Sequence, residues 1–126
     1  MAITLTPMGK KNPTNPNAEM LYYPRVTKTG VIDLEELSQQ ISDSTTVTEA
    51  DCYAVIISLV NAVTKELNSG KIVRVGQLGS FQVSVKGTGS TTPEEVSPKN
   101  VKSASVIFRS GAKFKKMLSQ LKFEKK

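Results

Sequence analysis

The segment Phe108-Arg109-Ser110-Gly111-Ala112-Lys113 holds the residues of this chain best suited to chemistry. The spacing predicts a helix that Ser110 caps and that Phe114, Met117, Leu118 and Leu121 continue on one face. Its first turn would present free N–H groups and the positive end of the helix dipole, flanked by Arg109 and Lys113. That combination binds phosphate. The plain alternative is a lysine-rich helix with a solvated face. Other chemistry is largely excluded. The 126 residues contain no histidine, no tryptophan and one cysteine, which removes histidine triads, histidine-ligated metals and a histidine general base. Cys52 falls on an apolar helical stripe and reads as a small buried hydrophobe. Gly87-Thr88-Gly89-Ser90-Thr91-Thr92 superficially resembles a phosphate loop. It lacks the Lys-Ser/Thr ending, and no helix pattern opens after it.

Charge points to a polyanion. Seventeen Lys and Arg oppose eleven Asp and Glu, for a net charge of +6, and the two signs are segregated. Residues 31–70 carry seven acids against Lys65, a net of −6, whereas 99–126 carry nine bases against Glu124, a net of +8. An acidic half and a basic half fit a nucleic acid engaged from one side. No membrane-length apolar run and no secretory leader pattern are visible, and one cysteine suits a reducing, cytoplasmic setting.

The elements that would position these residues follow from periodicity. Ile3, Leu5 and Met8 suggest a strand, residues 10–17 a turn-rich loop, and Leu21–Thr27 a second strand that Pro24 confines to an edge. A short helix capped by Asp33 uses Leu34, Leu37 and Ile41. A longer helix opens at Thr48 and runs to Leu67; its stripe from Cys52, widened by Tyr53 and Ile57, needs two surfaces to pack against. Gly70 suits the end of that helix. Strands are expected at 72–75, 81–85 and 104–108, with a polar arm over 87–100.

Taken in order, these pieces resemble the bacterial HU / integration host factor family of DNA-bending proteins. The resemblance rests on the two helices, Asn68-Ser69-Gly70-Lys71-Ile72-Val73, Gly76-Gln77-Leu78-Gly79-Ser80-Phe81 and Phe108-Arg109-Ser110-Gly111-Ala112-Lys113. The Asn-Pro and Tyr-Tyr-Pro elements of the first thirty residues are similar to the extended HU-HIG variant. The resemblance implies an α+β, HU-like intertwined homodimer with a helical base, a β-saddle and two β-arms that grip the minor groove, here shortened and joined by extra N-terminal strands. It implies an extension over residues 1–30 whose strands edge the saddle sheet, and a DNA-binding domain over 31–126. The expected function is duplex DNA binding without marked sequence preference, in the nucleoid, through phosphate contacts from Lys86, Lys99, Lys102, Arg109, Gly111 and Lys113; Arg74 joins them if its side of the strand faces the saddle. The expected partners are double-stranded DNA and a second copy of the chain, with no membrane, cofactor, metal or small-molecule substrate, and no enzymatic activity. In the family, a proline at the arm tip wedges between bases, and Pro93 would take that place. Here acids follow it at Glu94 and Glu95, the arm has few cations, and Ser110 replaces the family's proline before Gly111. These departures imply weaker kinking. They also motivate a second reading, a structural or assembly protein that kept the fold with weak or no DNA binding. An RNA-binding variant is a third.

Overall fold

The structure, a computed structural model, describes residues 1–15 and 17–125; Pro16 of the expected loop, and Lys126, lie outside them. The chain is α+β and divides into two compact units, one built from residues 1–31 and 117–126, the other from 32–116.

In the second unit, α1 (Leu34–Ser44) and α2 (Glu49–Asn68) start where the capping residues place them. Asp33 Oδ1 accepts the Glu36 N–H at 3.0 Å, and Thr48 Oγ1 accepts the Asp51 N–H at 3.2 Å. Each side chain satisfies a donor that the first helical turn leaves unpaired. The two helices pack together, and Ser38 and Cys52 are the only buried side chains among the described residues. Ser38 can be buried because its hydroxyl donates to the Leu34 carbonyl at 2.8 Å.

The sheet of this unit runs β3 (Val73–Val75), β4 (Gly79–Gly87), β5 (Val101–Ser110), with both pairings antiparallel. Its strands exceed the expected 81–85 and 104–108, because hydrogen bonding continues past the alternating apolar positions. Val73, Phe81 and Phe108 lie side by side, with Val83 opposite Val106 and Val85 opposite Ala104, which makes one face apolar. The Phe81 and Phe108 rings are 5.1 Å apart and tilted by 45°, and Phe114 adds a second ring contact to Phe108 at 6.4 Å. The C-terminal end of α2 shares a cleft with this face, lined by Thr64, Leu67, Val83 and Val106.

The expected polar arm is the connection between β4 and β5. Residues 88–100 fold into two short 3₁₀ turns, Pro93–Glu95 and Pro98–Asn100. Asn100 pins the loop: its carbonyl accepts the Thr88 N–H, its amide donates to Thr88 Oγ1, and its Oδ1 accepts the Ser97 N–H.

The first unit corrects one expectation. The N-terminal strands do not edge the β3–β4–β5 sheet. β1 (Ile3–Lys10) pairs antiparallel with β2 (Leu21–Val26), and on its other side pairs parallel with β6 (Phe123–Lys125), giving a separate sheet ordered β2–β1–β6. β6 was not legible in the sequence, where Leu121 reads as a continuation of the last helix. That helix, α3 (Ala112–Ser119), instead stops two residues short of Leu121. Two prolines limit the sheet. Pro7 faces Pro24, and the bond from the Thr27 N–H to the Thr4 carbonyl sets the alternation so that this pair is not hydrogen-bonded. The missing donors therefore belong to the outer sides: Pro24 depletes the free edge of β2, and Pro7 depletes β1 just beyond the reach of β6.

Gly79 is a tight position of the larger sheet. It adopts φ +143°, and a Cβ there would press on the Arg109 carbonyl oxygen and the Phe108 ring. Gly79→Ala is expected to cost roughly 2–4 kcal/mol through strain and overpacking. Denaturant unfolding of the two proteins side by side measures it.

Candidate nucleic-acid interface

Strand alternation carries the polar residues to the opposite face of the β3–β4–β5 sheet. Ser80 pairs with Arg74 on one side and with Arg109 on the other, so the three form a row across the strands. Two strand spacings set the arginine backbones about 10 Å apart, with a small hydroxyl between them. Along the same face, Gln82 lies opposite Ile107, Ser84 opposite Ser105, and Lys86 opposite Ser103. The face carries Ser80, Ser84, Ser103 and Ser105, with Gln82 and Ile107 between them, and its cations are Arg74, Arg109 and Lys86.

The row opens onto the start of α3. A shallow cleft of about 180 Å³ is lined by Arg74, Gly76, Gly79, Ser80, Arg109, Ser110 and Gly111. This brings together three of the residues singled out from sequence: Arg74, Arg109 and Gly111. Lys113 is the second residue of α3. Lys86 shares the polar face but lies six positions along β4 from Ser80, about 20 Å away. Lys102 is the extra residue where the register shifts, since Lys86 pairs with Ser103 and Gly87 with Val101. Lys99 belongs to the second 3₁₀ turn of the loop, and Pro93 opens the first. Glu95, two residues after Pro93, accepts a hydrogen bond from Thr91 at 3.2 Å.

Two details of the helix start differ from the sequence reading. Ser110 is the last residue of β5 and does not cap α3; the first intrahelical bond, from the Lys115 N–H to the Gly111 carbonyl, makes Gly111 the N-cap. Its N–H, expected to serve phosphate, donates to the Leu78 carbonyl at 3.0 Å. The donors left for an anion by helix geometry are those of Ala112, Lys113 and Phe114. Gly111 matters through packing, because a Cβ there would collide with the Gln77 backbone. The residue that sequence reasoning overlooked is Ser80. Its alternation with Phe81 marks an outward position, but only the two pairings reveal that arginines flank it on both sides.

Gly111→Ala is expected to lower stability by about 1–3 kcal/mol, since the helix start must back away from the 76–79 turn. Thermal unfolding at matched protein concentration checks it.

The comparisons with known proteins agree with this architecture. Among solved structures, a protein from Bacteroides vulgatus described as a candidate bacterial DNA-binding protein superposes with a TM-score of 0.68 at 14% identity, over 98% of this chain. The chain spans only 48% of that protein's length. The HU protein of Anabaena, in a cocrystal with DNA, superposes with a TM-score of 0.53 at 19% identity, over 71% of this chain and 99% of the HU chain. No curated protein matches the sequence. The family model described as an HU domain fused to a wHTH, Ig or glycine-rich motif matches residues 1–125, and this chain therefore belongs to the HU-HIG family.

Proposed function

We propose that the protein binds duplex DNA without marked sequence preference, as an architectural, nucleoid-associated protein that contacts phosphates. The observation that carries this reading is the row Arg74–Ser80–Arg109 on the polar face, which opens onto the start of α3. Two guanidiniums offer bidentate donors to phosphate oxygens, the helix start adds backbone N–H groups, and the short side chains between them let a sugar-phosphate backbone approach closely. Lys113 extends the same group, and Lys86, Lys99 and Lys102 supply cations towards the arm. Contacts made to phosphates rather than to base edges would carry no sequence information.

The working form is a homodimer. Leu37, Tyr53, Val55, Leu59 and Val60 of the helical pair are exposed, Val55 by 64% and Val60 by 54%. A helix surface this apolar is unfavourable in water without a partner. A second copy would cover it and form a helical base beneath two β-sheets that make one saddle.

The shortened arm supports a smaller bend than long, cationic arms give. Bending a short duplex by 40–90° costs about 1–6 kcal/mol, and wedging adds a few more. Glu94 and Glu95 sit in the same 3₁₀ turn as Pro93 and repel the phosphates a wedge must pass. The same acids favour the second reading, an assembly protein with weak or no DNA affinity.

Three outcomes are expected. Light scattering at micromolar concentration gives twice the 13.7 kDa chain mass, and a monomer would sink the dimer. Duplex binding weakens with salt at a slope of about −0.9 per neutralised phosphate, and Arg74→Ala, Arg109→Ala and Lys113→Ala each flatten that slope on every sequence tested; no binding at low salt would favour the assembly reading. End-to-end fluorescence transfer on a short duplex changes little between wild type and Pro93→Ala, whereas strong compaction lost in the variant would restore the wedge.

A further inference from the structure

The net charge of the chain is not where the row of arginines lies. The unit formed by residues 1–31 and 117–126 contains Lys10, Lys11, Arg25, Lys28, Lys122, Lys125 and Lys126 against Glu19 and Glu124, a net of +5 within 41 residues. The 85 residues of the other unit hold ten cations against nine acids. Most of the +6 therefore belongs to the smaller unit, whose strands carry Lys10, Arg25 and Lys125 against Glu124.

The register divides this sheet into two unlike faces. Ile3, Leu5, Tyr22, Val26 and Phe123 alternate onto one side. Thr6 opposite Arg25, Met8 opposite Tyr23, Lys10 opposite Leu21, and Thr4 opposite Glu124, whose carboxylate accepts the Thr4 hydroxyl, share the other. On that side the Lys10 ammonium lies 5.8 Å above the Tyr23 ring, and a cleft of about 440 Å³ at the same end is lined by Lys10, Lys11, Asn12, Leu21 and Tyr23, with one acid, Glu19. Tyr23 is 48% exposed. Among the described residues, none of the cations of this unit is held in an ion pair; the ion pair present, Lys71 with Glu66, lies in the other unit. The prolines at positions 7 and 24 deplete the sheet of edge donors, which disfavours a partner that docks by adding a strand. Exposed cations outside ion pairs attract a polyanion, because binding releases the polyanion's condensed counterions; Lys10 and Arg25 lie on this face, whereas Lys125 lies opposite Leu5 on the other.

We propose that the face carrying Lys10, Tyr23 and Arg25, with Lys11 and Lys28 beside it, is a second DNA-binding surface that contacts duplex phosphates. The inference rests on the reading of DNA as the partner and adds a site on a different unit. Lys10 and Arg25 supply the charge on the sheet, Tyr23 supports the Lys10 ammonium, and Lys11 and Lys28 extend the cationic band into the flanking loops.

The test uses the full chain and a fluorescent duplex over a salt series. The variant Lys10→Gln/Lys11→Gln/Arg25→Gln/Lys28→Gln is compared with Arg74→Gln/Arg109→Gln and with wild type. A second sheet variant, Lys11→Glu/Lys28→Glu, changes only residues outside strands and so leaves the ladder intact. Both sheet variants are expected to lose at least tenfold in affinity at low salt, with unchanged circular dichroism, and the fourfold variant is expected to flatten the slope by about 2–4. If only the Arg74/Arg109 variant weakens binding, the second surface is overturned and the primary site stands. If only the sheet variants weaken it, the second surface stands and the primary site falls. Wild type that does not bind at low salt overturns both. Preferential competition by single-stranded DNA or RNA over duplex overturns the duplex assignment of this face.

Discussion

The polar face of the larger sheet depends on one register. Ser80 must lie opposite both Arg74 and Arg109 for the two guanidiniums to share a surface, and a slip of one residue in β4 would send Ser80 to the apolar side and Phe81 to the polar side. Several features hold that register. Phe81, Phe108 and Phe114 form a chain of ring contacts on the apolar side. Gly79 lets the Arg109 backbone pass close to β4, and Gly111 lets the start of α3 sit against the turn at Gln77. Both contacts are backbone approaches that a single methyl group would prevent, so the anion-facing geometry is set by close packing behind it as much as by the charged side chains in front.

Little of this chain's apolar surface is buried within the chain itself. The helix pair encloses Ser38 and Cys52, while large side chains on α2 remain open to solvent. Hydrophobic burial is the dominant favourable contribution to folding, and a chain that buries so little of it alone is suited to completing its core with another copy. Affinity for DNA and association would then be linked, since a dimer presents two copies of the arginine row.

The charge is distributed in a way that the helix-and-strand description does not convey. The larger unit is nearly neutral overall, with seven of its nine acids over residues 33–66 and the other two, Glu94 and Glu95, in the loop between β4 and β5. The smaller unit is strongly basic. If the partner is a polyanion, as proposed, a charge distribution of this kind would orient the molecule in its field, and the basic unit would add long-range attraction that falls with ionic strength.

Much of this architecture was legible in the sequence. Periodicity and capping residues placed α1 and α2, because Asp33 and Thr48 act on donors only three residues away. Period-2 alternation located β4 and its outward face, and the ordered motifs were enough to recognise an HU-like fold of the HU-HIG kind. Three features were decided by tertiary structure. The short Phe123–Lys125 strand has no pattern of its own and exists because β1 offers it a ladder, which took the N-terminal strands into a separate sheet with the C-terminus. The Gly111 N–H was assigned to an anion by local reasoning, whereas the fold gives it to Leu78, a partner thirty-three residues away. The arginine row needed two strand pairings at once, which no single-strand pattern contains. Local interactions act over one helical turn or one pleat and can be read along the chain; pairings between distant segments depend on which backbone donors and acceptors the whole fold leaves available.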